Sequence, residues 1–122
     1  MKYLTLLIFS IFLSACATTE QQMFAAESNW FELGKYDGEQ GFNEKSQKDL
    51  TKLGDNIDLA SLDVEQYQKG YQEGLDSYCV LSNAWVLGAT GQPYSGVCEN
   101  RQNGWQFHEN WVSGRHSQVG SL

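Results

Sequence analysis

The chain of 122 residues carries eight basic and fifteen acidic side chains, a formal charge of −7. It is one domain at most, and so negative a surface repels nucleic acid phosphates, which excludes a nucleic-acid binder. Four tryptophans, six tyrosines and a single proline exclude a disordered chain, because disordered sequences lack aromatic side chains.

Residues 1–16 read MKYLTLLIFSIFLSAC. One cation, Lys2, precedes an apolar run from Tyr3 to Leu13 and two small residues, the layout of a secretory signal peptide. The run is too short to cross a bilayer as a helix. Leu13-Ser14-Ala15-Cys16 resembles the bacterial lipobox, whose cysteine receives a diacylglyceryl group on sulfur and acylation on the amino group exposed by cleavage. We therefore expect a signal peptide over residues 1–15 and lipidation at Cys16. Two or three acyl chains, at roughly 0.8 kcal/mol per buried methylene, give durable membrane anchoring. Ala17 rather than aspartate follows the cysteine. By analogy with lipoprotein sorting in Gram-negative bacteria, this favours the outer membrane, with the body facing the periplasm.

Residues 17–29, ATTEQQMFAAESN, show no sustained period, so 16–28 reads as a lipidated polar tether and 29–122 as a small helical domain. Loss of the leader leaves 107 residues and, with Lys2 gone, a formal charge of −8. That length suffices for a modest core which a covalent staple would help.

Three helices are predicted near 30–42, 64–79 and 104–118. Each opens with a capping side chain followed three residues later by Glu or Gln: Asn29 and Glu32, Asp63 and Gln66, Asn103 and Gln106. The stretch 43–54, NEKSQKDLTKLG, reads as a short fourth helix ended by Gly54, and DNIDLASL as a connector. In the middle helix Val64, Tyr67, Tyr71, Gly74 with Leu75, and Tyr78 form one stripe at spacings of three and four. The first helix repeats the rhythm with Phe31, Gly34, Gly38 and Gly41. Each glycine inside a helix costs about 1 kcal/mol relative to alanine, so a face of three needs compensation by close approach of a partner helix or of tyrosine rings. The competing expectation is a glycine-led turn that breaks the helix near Gly38. FELGKYDG, YQKGYQEG and WVSGRHSQ share an aromatic residue, two intervening positions and glycine, a weak repeat suited to a small bundle whose aromatics fill glycine gaps. Val80 to Leu87 reads either as a short helix or as an apolar hairpin arm. A turn-rich loop follows, in which Tyr94 packs back on the body.

With Cys16 lipidated, Cys79 and Cys98 remain as an even pair in an oxidising compartment. Their bridge encloses about twenty residues and contributes roughly 3 kcal/mol. A zinc site is disfavoured: His108 and His116 lie eight apart and neither cysteine belongs to a C-x-x-C pair. The expected fold class is mainly α, a bundle of three to four helices with glycine–aromatic packing and one disulfide-pinned loop.

WFELGKYDGEQG, YQKGYQEGLDSYC and LGATGQPYSGVC together resemble the bacterial lipoproteins grouped as domain of unknown function 2799. The matching positions are Trp30, Gly34, Asp37, Gly38 and Gly41, then Tyr67, Gly70, Gly74, Leu75, Tyr78 and Cys79. Gly88, Gly91, Tyr94, Gly96 and Cys98 complete them. Many members carry a further cysteine before the middle helix, which DLTKLGDNIDL lacks. The resemblance implies a small envelope lipoprotein with no assigned catalytic residues.

No nucleophile elbow, P-loop or dinucleotide fingerprint is present. His108-Glu109 lacks the second histidine of a metalloprotease, with Val112 in its place. Asp55, Asp58, Asp63 and Glu65 lack the ligand phase of an EF-hand and read as a solvated face. Asp37 is either a functional carboxylate, a partner for a neighbouring helix end, or solvent-facing. His116 suits a helix C-terminus. No catalytic residue, metal or cofactor is expected. The chain reads as a non-enzymatic envelope module with a protein partner. The alternative is an acidic inhibitor or immunity-like protein for a basic target such as a cell-wall lytic enzyme. An unrecognised enzyme site at Asp37 or His108 is a third class.

Overall fold

The computed structural model describes residues 19–53 and 62–119, which leaves Cys16, the leader, Asp55 and Asp58 outside the described residues. Six helices occur there: α1 (Thr19–Ala26), α2 (Trp30–Glu39), α3 (Gln47–Leu53), α4 (Val64–Tyr78), α5 (Leu81–Ala89) and α6 (Gly104–Val119). The all-helical class is as expected, but three to four helices was too few. The supposed tether contains α1, and the undecided stretch after Cys79 is α5.

Local chemistry explains the boundaries. Asn29 Oδ1 and Asp63 Oδ1 accept from the backbone N–H of Glu32 and Gln66, capping α2 and α4. The backbone N–H of Asn29 instead meets the Phe24 carbonyl, because α1 ends directly before it. Asn103 opens α6 through its backbone carbonyl, which accepts from Phe107 N–H. Three helices end alike. The residue beyond the cap lies in the left-handed region, as Ser28 (φ 54°), Gly41 (φ 69°) and Gly91 (φ 75°). Paired turn bonds such as Gly41 N–H to Gly38 O and Phe42 N–H to Asp37 O close each end. Gly41 is therefore a turn residue, not part of the packing face, and α2 stops at Glu39 rather than at 42.

Two helix pairs make the body. In the first, a Cβ on Gly34 would overlap the Tyr67 carbonyl and come within 2.8 Å of Tyr71 N, and one on Gly38 would meet the next turn, 2.8 Å from Leu75 N. The contacts climb both helices together, so α2 and α4 run parallel. Gly70 and Gly74 return the approach, Gly74 facing the Lys35 carbonyl. Close packing of this kind requires small residues at the crossing. In the second pair, Gly88 of α5 faces Trp111 O and Arg115 N, while Gly114 of α6 faces Trp85 O and Ala89 N. Close approach thus compensates the helical glycines, but the third glycine–aromatic copy packs on α5 and not on the first two.

Leu33, Leu50, Tyr67, Ala84, Cys98 and Phe107 are fully buried in one cluster linking the pairs. Cys79 caps the end of α4 and bonds to Cys98, with Cα atoms 5.6 Å apart. The bridge ties the end of the first pair to the approach to α6.

Candidate functional site

Asp37 is the one fully buried acid among the described residues. Its Oδ2 accepts from Tyr67 OH at 2.8 Å and Lys45 Nζ at 2.6 Å, and its Oδ1 from Gln21 Nε2 at 2.5 Å. Tyr67 OH in turn accepts from Lys45 N–H at 3.0 Å. A buried carboxylate is tolerated only when paired and hydrogen-bonded, and both oxygens here are engaged. Burial, reinforced by the neighbouring Asp37 charge, pushes the Tyr67 hydroxyl well above its ordinary pKa. Tyr71, whose OH donates to Phe42 O at 2.8 Å, is raised to about 12 by burial and by the charges of Glu44 and Asp37. The cluster fastens α1 and the segment after α2 to α4. Asp37 thus meets side chains of α1, α4 and the segment after α2, rather than a helix end or solvent.

A groove of about 460 Å³ lies where the turn after α2 meets the loop after α5. Its walls are the rings of Phe42, Tyr78 and Tyr94 with Leu87 and Pro93. Its polar groups are the amides of Gln40, Asn43 and Gln92 and the Ser95 hydroxyl. Three bonds hold it. Ser95 Oγ donates to Gly41 O at 3.1 Å, Trp111 Nε1 to Gln92 O at 2.9 Å, and Cys98 N–H to the Tyr94 hydroxyl at 3.1 Å. Gly41 is required here, because a Cβ would enter the Tyr78 ring. Tyr94 packs back as expected, 5.0 Å from the Phe107 ring centroid. Burial raises the pKa of Tyr78 and Tyr94, so both stay neutral at physiological pH.

The other sequence candidates lie apart. His108 sits among aromatic rings, 6.1 Å from Tyr94 and 5.9 Å from Trp111, beside a shallow surface hollow near Glu99 and Trp105. His116 is exposed in the last turns of α6. Asp63 caps α4 and Glu65 pairs with Lys69 at 2.9 Å. No group of three or more metal-type ligands occurs among the described residues. The groove residues outside the family motif, Gln40, Phe42, Asn43 and Gln92, went unnoticed in the sequence. The available signal was a left-handed glycine at each helix end followed by aromatic and amide side chains.

No described helix is long and apolar enough to cross a membrane. No solved structure matches the chain. The protein described as uncharacterized protein YfiL of Escherichia coli (strain K12) is 26% identical over 95 residues, covering 78% of this chain and 73% of that protein. The family described as protein of unknown function (DUF2799) matches residues 29–116, from the α2 cap to the last turns of α6. Two glycine-joined helix pairs and one disulfide therefore occupy the region that defines the family, and the chain belongs to it.

Proposed function

We propose that this chain is an envelope lipoprotein, anchored through Cys16 to the outer membrane and facing the periplasm. Its helical body acts as a non-enzymatic accessory module that binds a protein partner. The observation that carries this reading is the state of Asp37. The acid most suggestive of chemistry in the sequence is held by three donors inside the fold. The lipobox-like Leu13 to Cys16 and the apolar run before it support the anchor. Intact-mass measurement of the mature protein should find the acyl additions, and Cys16→Ala should leave the membrane fraction. An unmodified mass together with continued membrane fractionation of Cys16→Ala would sink the anchor. Crosslinking in cells should capture one envelope assembly repeatedly, and failure to capture any specific protein would count against the module.

A second reading, an acidic inhibitor of a basic protein, is favoured by the distribution of charge. Lys35, Lys45, Lys69 and Arg101 are each paired with a carboxylate. Exposed Glu39, Glu44, Glu99 and Glu109 form no ion pair among the described residues. Capture of one basic protein, lost at high salt, would select this reading, because interactions between exposed charges are screened.

A further inference from the structure

We propose that the groove between the α2 turn and the α5 loop binds a neutral, polyhydroxylated ligand, a short saccharide. Its volume of about 460 Å³ falls within the roughly 300–1,000 Å³ of small-molecule sites. The proposal goes beyond the anchored-module reading and does not depend on it.

The composition of the walls carries the inference. Fifteen acids and eight bases occur in the chain, yet no carboxylate, ammonium or guanidinium lines this groove. Helices α2 and α5 both end at it, and the partial negative charge of a helix C-terminus disfavours an anionic ligand. A cation would meet ring faces but no lining carboxylate to pair with. The polar groups on offer include the primary amides of Gln40 and Asn43, each presenting two donors and an acceptor, while Gln92 Nε2 donates to Thr90 Oγ1 at 3.1 Å. Neighbouring hydroxyls of a sugar ring present the complementary donors and acceptors. The side-chain amides of Gln40 and Asn43 have no protein partner among the described residues and are exposed at the rim. Aromatic faces carry negative electrostatic potential, which suits the C–H face of a pyranose. Phe42, 40% exposed, and the half-buried Tyr94 contribute rings to the groove lining.

The site is also built before any ligand arrives. Gly41 lies against the Tyr78 ring, Ser95 ties the loop to the turn, and the disulfide holds Tyr78's neighbour Cys79 to Cys98. Rigid walls lower the ordering cost of binding, which lets a small ligand be held by few contacts.

The test is saturation-transfer NMR on the full chain, kept in a detergent that is neither a glycoside nor a choline. The probes are N,N′-diacetylchitobiose, cellobiose and maltose, with tetramethylammonium as the cationic comparison. At least one disaccharide should show saturable transfer at millimolar concentration. Phe42→Ala should weaken it roughly three- to tenfold, the affinity equivalent of one lost aromatic contact. Asn43→Ala, an exposed change that spares the fold, should weaken it independently. Trp105→Ala, removing an aromatic that is 68% exposed and outside the groove lining, should leave it unchanged. Absence of transfer from all three sugars overturns the proposal. So does binding that survives both groove variants, or a response to tetramethylammonium alone.

Discussion

Matched through their glycines, the two helix pairs show one geometry carried by different chemistry. Gly38 corresponds to Gly88, Gly74 to Gly114, and the turn residue Gly41 to Gly91. Tyr71 OH donates to Phe42 O, and at the matching positions Trp111 Nε1 donates to Gln92 O. Inside the pairs the likeness stops. Asp37 and Tyr67 are hydrogen-bonded in the first, whereas Leu87 and Phe107, apolar and buried, stand in their places in the second. Gly34 is matched by Ala84, fully buried, so the second pair carries a methyl group where the first is in backbone contact. The crossing is thus set by backbone approach and ring-to-carbonyl bonds, and the interior beside it can be polar or apolar. The polar version occurs where α1 and Lys45 arrive with their own donors.

The largest test of that comparison is Gly34→Ala. The added carbon overlaps a backbone carbonyl that cannot yield unless the helices part, so we expect a loss of about 4 kcal/mol in urea unfolding. Ala84→Gly, the reverse change in the second pair, should cost only about 1 kcal/mol through helix propensity. Equal losses would show that the spacing does not differ. Next is Asp37→Ala, expected to cost about 3–4 kcal/mol by stranding Lys45 and the Tyr67 hydroxyl. Asp37→Leu combined with Tyr67→Phe writes the second pair's interior into the first. A double-mutant cycle should return a coupling of about 1–3 kcal/mol, and additivity would break the analogy.

Replacement of both Cys79 and Cys98 by serine should remove about 3 kcal/mol for a separation of 19 residues. An unchanged denaturant midpoint would mean that the core alone holds the pairs together. The smallest effect is confined to alkaline pH. Tyr71 holds its proton to about 12 in the folded state, and Tyr67 holds its own more tightly still. Above pH about 10, where free tyrosine ionises, the folded state therefore binds more protons than the unfolded one, and stability falls as pH rises. Trp111 at the position matching Tyr71 has no such proton. Hydrogen exchange in α2 and α4 should accelerate before that in α5 and α6, and simultaneous acceleration would count against separate opening of the pairs.

Much of this was legible in the residues. Asn29 and Asp63 announced two helix starts through side-chain capping, and the four-residue spacing of Gly34 with Gly38 and Gly70 with Gly74 announced a close crossing. The cysteine pair was legible by elimination once Cys16 was set aside. Helix α1 was not, because its buried positions are Gln21 and Ala25, which form no apolar stripe; the glutamine is recognisable as interior only once Asp37 faces it. The pairing of α6 with α5 was hidden by Gly88, a single glycine in a stretch too short to distinguish helix from strand. The groove escaped because Gly41 and Ser95, joined across it, lie 54 residues apart and outside any periodic segment.

Docking of α1 also bears on the reach that the proposed anchor would allow. A tether over residues 16–28 would allow the body to range about 45 Å from a lipid on Cys16, at roughly 3.5 Å for each extended residue. With Gln21 bonded to Asp37 and Ala25 fully buried, the body begins at Thr19, and three residue steps from Cys16 span at most about 11 Å. Under the proposed anchoring, a body so held would graze the bilayer, and its partner would have to come to the membrane surface to be met.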